Sequence, residues 1–154
     1  MSNSTGVVTL VSNFSFDETL ARIFRAIEKQ GLLLFLALDQ QAIARKDGLK
    51  MPQARLLLFG RPWAGTQILI DVPEAGIDLP LKAYVWEAAD GGIFVSYSSP
   101  EYIAERHGLS AALSAPLFGV FPLLKGALGD NTFTVFSANN HQETKIAANP
   151  TSSF

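Results

Sequence analysis

Residues 81–98 read LKAYVWEAADGGIFVSYS, and this stretch decides the fold. Leu81, Ala83 and Val85 alternate with Lys82, Tyr84 and Trp86, the period of two that a strand imposes. Residues 93–98 form a second run rich in β-branched and aromatic side chains. Between them Ala88-Ala89-Asp90-Gly91-Gly92 has hairpin chemistry. Two strands joined this way pair antiparallel, which rules out an all-parallel doubly wound sheet.

Upstream, residues 7–14 are a first strand by the same β-branched enrichment. Ser15 and Glu18 have the spacing of a capping box, each side chain placed to satisfy an orphan N–H of a helix start. Leu20, Ile23, Phe24 and Ile27 follow at helical spacing, and Gly31 is placed to end the helix in a left-handed cap. A helix is expected over 16–30. Residues 32–38 and 55–59 are continuous apolar runs of strand length, expected to be covered on both faces. Asp39 heads a short helix over 40–47, and Thr66 is expected to cap another over 67–72 after the turn-rich connector 60–65. Ser99-Pro100-Glu101 starts a helix with Pro at its first position, ended by Gly108. The resulting order, β-α-β-β-β-β-α with short inserted helices, points to an α+β two-layer sandwich with a mostly antiparallel sheet.

Residues 109–129 contain one charge, Lys125, and so raise the question of a membrane span. Pro116, Pro122 and three glycines argue against one, as does the lack of a basic flank. A broken helix packed on the sheet is the expectation. Residues 131–136 suit a small strand, and the polar stretch beyond it is expected to be a partly disordered extension to a single domain over 1–130.

Composition narrows the function classes. The chain has 154 residues, 48% hydrophobic and 17% charged, with a formal net charge of −2 and a mean hydropathy of +0.21. A chain of this length buries roughly 68–70% of its unfolded surface and needs no disulfide or metal to fold. No basic stripe marks a nucleic-acid partner. With no cysteine, zinc fingers, thiol redox chemistry and iron–sulfur clusters are excluded. The N-terminal residues lack a basic segment and an apolar run, so the cytoplasm is the expected compartment.

Several segments together resemble the domain-of-unknown-function 302 family. These are Gly60-Arg61-Pro62 with Gly65-Thr66, then Gly76-Ile77-Asp78-Leu79-Pro80-Leu81-Lys82 with Val85-Trp86-Glu87, and Ser99-Pro100-Glu101-Tyr102 with Arg106-His107-Gly108. An upstream match surrounds Leu38-Asp39 and Ala42. The resemblance implies a TATA-binding-protein-like α+β fold and brings no established activity, substrate, cofactor or catalytic set. This chain has Gln40 where many members carry His, and Arg61 where they often carry Asn.

The residues themselves offer two functional readings. No phosphate-binding glycine loop and no nucleophile elbow is present. Glu101, Glu105 and His107 do not share one helix face, so no metal and no cofactor is expected. Lys82, Tyr84 and Trp86 form an amphipathic strand face, over which Trp63 can close. That face suits a small-molecule ligand or a second copy of the chain, and a non-catalytic, homodimeric domain is the first expectation. The ligand or interface candidates are Asp39, Trp63, Lys82, Tyr84, Trp86 and His107. Set beside it is an enzyme of unassigned reaction that gathers Asp39, Asp78, Lys82 and His107 in a cleft. Each of these has a plain structural alternative: Asp39 as a helix cap, Asp78 as a turn residue, Lys82 as the start of a strand, and His107 as a helix C-terminal cation.

Overall fold

The computed structural model describes residues 5–129 and the backbone of 134–135. Six strands form one antiparallel sheet in the order β2-β3-β4-β5-β1-β6. They are β1 (Val7–Ser12), β2 (Leu33–Asp39), β3 (Ala54–Gly60), β4 (Leu81–Glu87), β5 (Ile93–Ser98) and the two-residue β6 (Thr134–Val135). The helices are α1 (Phe16–Lys29), α2 (Gln40–Lys46), α3 (Pro62–Asp71), α4 (Pro100–His107), α5 (Ala111–Ser114) and α6 (Val120–Leu128), with 3-10 turns at Pro73–Ile77 and Ala115–Gly119. This is a two-layer α+β fold, with α1 and α6 packed together against one face of the sheet. The polar extension expected beyond residue 136 lies outside the described residues.

The hairpin forms as its turn chemistry dictates. Ala88 N–H donates to Gly92 O at 2.8 Å, Asp90 Oδ1 accepts from Gly92 N–H, and Gly91 takes a φ of +88°. The α1 start follows half of the capping box. Ser15 Oγ accepts from Glu18 N–H at 3.1 Å, but the Glu18 carboxylate pairs with Arg22 and Arg25 instead of reaching back. Its end is a Schellman motif: Leu32 N–H donates to Ile27 O and Gly31 N–H to Glu28 O, with Gly31 at φ +65°. Ser15→Ala is expected to cost about 1 kcal/mol of stability, read as a lowered urea midpoint.

Two expectations fail here. β2 is not covered on both faces but is an edge strand, with Leu33 50% and Leu36 47% exposed. A continuous apolar run shows that side chains avoid charge, not that a layer lies over each face. And α3 starts at Pro62, five residues before the expected 67, with Arg61 rather than Thr66 in the cap position. Proline fits the first helical position because its missing N–H would be unpaired there anyway, so the expected connector is the helix's first turn.

Ala111–Leu128 is long and apolar enough to cross a membrane by length and composition. Here prolines 116 and 122 lie within it, and Val120, Leu123, Leu124, Ala127 and Leu128 are buried in the main core with Leu20, Ile23 and Ile27 of α1. A smaller cluster of Ile68, Ala75, Ile103 and Leu117 lies beneath α3 and α4.

Candidate functional site

A cavity of about 690 Å³ lies on the helix-bearing side of the sheet, along the seam between these two clusters. Its walls come from the bulged residue Phe35 of β2, the end of β3, the first turns of α3, the 79–81 entry to β4 and the 115–123 segment. The sequence explains why the seam stays open. Four glycines and two alanines stand among the 22 lining residues and supply little or no side chain to fill a gap between packed layers, while the four prolines are rigid rings that cannot swing in to fill it. Leu81 packs against both clusters, Leu117 belongs to the smaller one, and Val120 and Leu123 to the larger. Gln30, Arg61 and Thr66 are the lining residues with polar side chains. The volume falls within the roughly 300–1,000 Å³ usual for small-molecule sites.

A second feature is the opposite sheet face. Register places Leu36 and Leu38 of β2 beside Leu58 and Leu56 of β3, and those beside Lys82 and Tyr84 of β4. Trp86 stacks on Phe94 with ring centroids 4.7 Å apart, and its indole N–H donates to Ser96 Oγ at 2.9 Å. Ser96 Oγ in turn pairs with Thr9 Oγ1 at 2.7 Å. Lys82, Tyr84 and Trp86 are half-buried and share this face, opposite the buried Ala83 and Val85. Trp63 does not pack over them: it stands on the first turn of α3 and is 71% exposed.

The polar candidates fall into two groups. Asp39 caps α2, its Oδ1 accepting from Ala42 N–H at 2.9 Å, while Oδ2 accepts from Arg55 at 3.0 Å. Asp78, by contrast, receives side chains from α4. His107 Nε2–H donates to Asp78 Oδ2 at 2.5 Å, and Arg106 Nη1 donates to the same oxygen at 3.1 Å. His107 is therefore paired and buried, with 7% of its side chain exposed, rather than a solvated end-of-helix cation. Lys82 folds back to donate to Pro80 O at 3.1 Å. Burial lowers its pKa below the usual lysine value, and the nearby Asp78 carboxylate offsets part of that. Together these contacts clamp the turn at 78–82 to the end of α4. Asp39, Asp78, Lys82 and His107 all lie outside the cavity lining. Asp78→Ala should lower stability by about 1–3 kcal/mol through the unpaired His107, visible as a reduced melting temperature.

Two ionisable groups, the buried Tyr97 and the half-buried Lys82, shape the alkaline behaviour. Tyr97 has its pKa pushed up to about 12 by burial and by the charge of Glu101. Its folded pKa lies above its ordinary 10.0, so the stability it contributes is complete below pH 10 and lost as pH rises toward about 12. Lys82 acts in the opposite sense. Its depressed folded pKa means that the unfolded chain binds the extra proton, so its contribution improves as pH rises toward 10.5. Tyr97→Phe should therefore flatten the fall in stability between pH 10 and 12, and Lys82→Met the rise below pH 10.5, in urea unfolding followed across that range.

With this architecture in place, the family model described as Domain of unknown function DUF302 matches residues 8–117, and the chain belongs to that family. A solved structure of an uncharacterized conserved DUF302 protein from Bacillus stearothermophilus shares the fold, with a TM-score of 0.67 and 17% identity over 81% of this chain and 97% of that one. The chain is also 35% identical over 130 residues to the Fluoride-specific ion channel FluC 1 of Brucella suis biovar 1, covering 82% of this chain and 51% of the relative. The Fluoride-specific ion channel FluC 2 of Brucella melitensis biotype 1 matches equally, with 48% of its length covered. The chain thus spans about half the length of these relatives.

Sequence reasoning found the Lys82-Tyr84-Trp86 face but missed the cavity. Its signal was present in the glycines and prolines of 60–65, 76–80 and 116–122, each embedded in an apolar segment. Punctuating residues of this kind mark turns, and only the packing of three such segments against one another shows that they also leave a void.

Proposed function

We propose that this domain is a non-catalytic binding module that takes a small apolar molecule in the cavity between α3, the strand ends and the 115–123 segment. The observation that carries this reading is an open cavity of about 690 Å³ walled mainly by carbon, half of whose lining residues are exposed to solvent, in a chain otherwise packed around two apolar clusters. Asp39 is engaged elsewhere by Arg55, and Asp78, Lys82 and His107, although gathered at one turn, lie outside the cavity lining, which favours binding over catalysis in the cavity. The test is native mass spectrometry with decanol added. A one-to-one complex is expected, and no complex at concentrations approaching decanol's solubility would sink the reading.

A second reading rests on the open sheet face. Leu36, Leu38, Leu56 and Leu58 extend the Tyr84-Trp86 surface to the exposed edge strand, and exposed apolar patches of this kind mark interaction sites. A homodimer through this face should sediment as such and dissociate on Leu36→Lys with Leu58→Lys. A wild-type monomer at tens of micromolar would count against it.

A further inference from the structure

We infer that the cavity selects amphipathic monoanions, molecules with an alkyl or aromatic body and one carboxylate, and that Arg61 is the residue that receives the charge. This rests on the binding reading above and goes further by naming the ligand class. Arg61 carries the one formal charge among the lining side chains. It stands exposed at the junction of β3 and α3, where it is the N-cap residue of α3. Arg22, Arg25, Arg55 and Arg106 each pair with a carboxylate. Arg61 has no carboxylate within ion-pair distance among the described residues, and its Nη2 makes one long bond of 3.4 Å to the Gln30 carbonyl. A guanidinium presents five N–H donors in a planar fork that matches a carboxylate, so most of its donors remain for a ligand.

The chemistry of the remaining wall sets the rest of the molecule. Phe35, Leu69, Leu79, Leu117 and Leu123 offer no hydrogen-bonding side-chain atom. Away from Arg61, Gln30 and Thr66, a second charged group on the ligand would lie unpaired against this apolar wall, which is costly. One anionic end and an otherwise apolar body satisfy both parts of the site.

The test compares decanoate and decanol binding to the full chain, in the wild type and in Arg61→Gln and Arg61→Lys, by isothermal titration calorimetry, with circular dichroism to confirm folding. Arg61→Gln should weaken decanoate about tenfold, the loss of one charge-assisted contact, and leave decanol unchanged. Arg61→Lys should recover part of the decanoate affinity, and added salt should weaken decanoate alone. If decanoate and decanol bind the wild type and Arg61→Gln alike, or if the substitution weakens both equally, the assignment of Arg61 as the anion receptor is overturned while the cavity still binds apolar molecules. If neither ligand binds the wild type, the cavity reading itself fails.

Discussion

Phe59→Ala should destabilise the protein by about 3–5 kcal/mol, the usual cost of truncating a buried aromatic ring. Phe59 has 0% exposure and belongs to the main core. Its strand neighbours in register are Leu34 of β2 and Leu81 of β4. It also lines the cavity, and this is why the cost belongs at the full value. Cavity-creating substitutions are cheap only where the surroundings collapse. Here the ring projects from β3, whose backbone is pinned on both sides by hydrogen-bonded strands, and the new space would merge with a cavity already present. Against a usual total of about 5–15 kcal/mol, the urea midpoint should fall by a large fraction. Leu36→Ala on the open face of the edge strand should cost well under that. A loss at Phe59 no greater than at Leu36 would mean that the ring is not packed as described.

Filling the void should abolish binding without harming the fold. Gly65 and Gly119 both line the cavity, and a Cβ added at either meets no heavy atom within 4 Å. Neither has a positive φ, so a side chain introduces no backbone strain. Gly65 lies inside α3, where replacing glycine gains up to about 1 kcal/mol of helix propensity. Gly65→Leu with Gly119→Leu should therefore keep or raise the melting temperature while decanol affinity drops beyond tenfold, as the two side chains occupy the space that the ligand needs. Stability and binding move in opposite directions in this variant, which separates occlusion of the site from damage to the protein. Unchanged decanol affinity in the folded double variant would place any binding elsewhere.

The parts of the fold that were legible in the sequence are those set by local chemistry. The 81–98 hairpin, the Ser15 cap and the Gly31 stop are each decided within a few residues by turn and helix-end geometry. The role of Asp39 was legible for the same reason, because a carboxylate placed before a helix finds an N–H three residues on. What escaped was set by tertiary packing. Residues 32–38 carry the same apolar run whether a layer covers them or not, and their exposure follows from β2 standing at the sheet edge. The Asp78–His107 contact joins residues 29 positions apart, through the way α4 returns over the 73–77 turn. Nothing local announces such a pairing. The cavity is the extreme case, because it is space left between segments far apart in sequence, which glycine does not fill and rigid proline rings do not enter.

The most direct test of the account is a methyl-labelled NMR titration with decanol, followed at the leucines and valines of both sheet faces. The account predicts shifts at Leu69, Leu79, Leu81, Leu117, Val120 and Leu123, which surround the cavity, and none at Leu36, Leu38, Leu56 and Leu58. Shifts confined to those four leucines would make the open sheet face the binding surface and contradict the assignment of the cavity as the site.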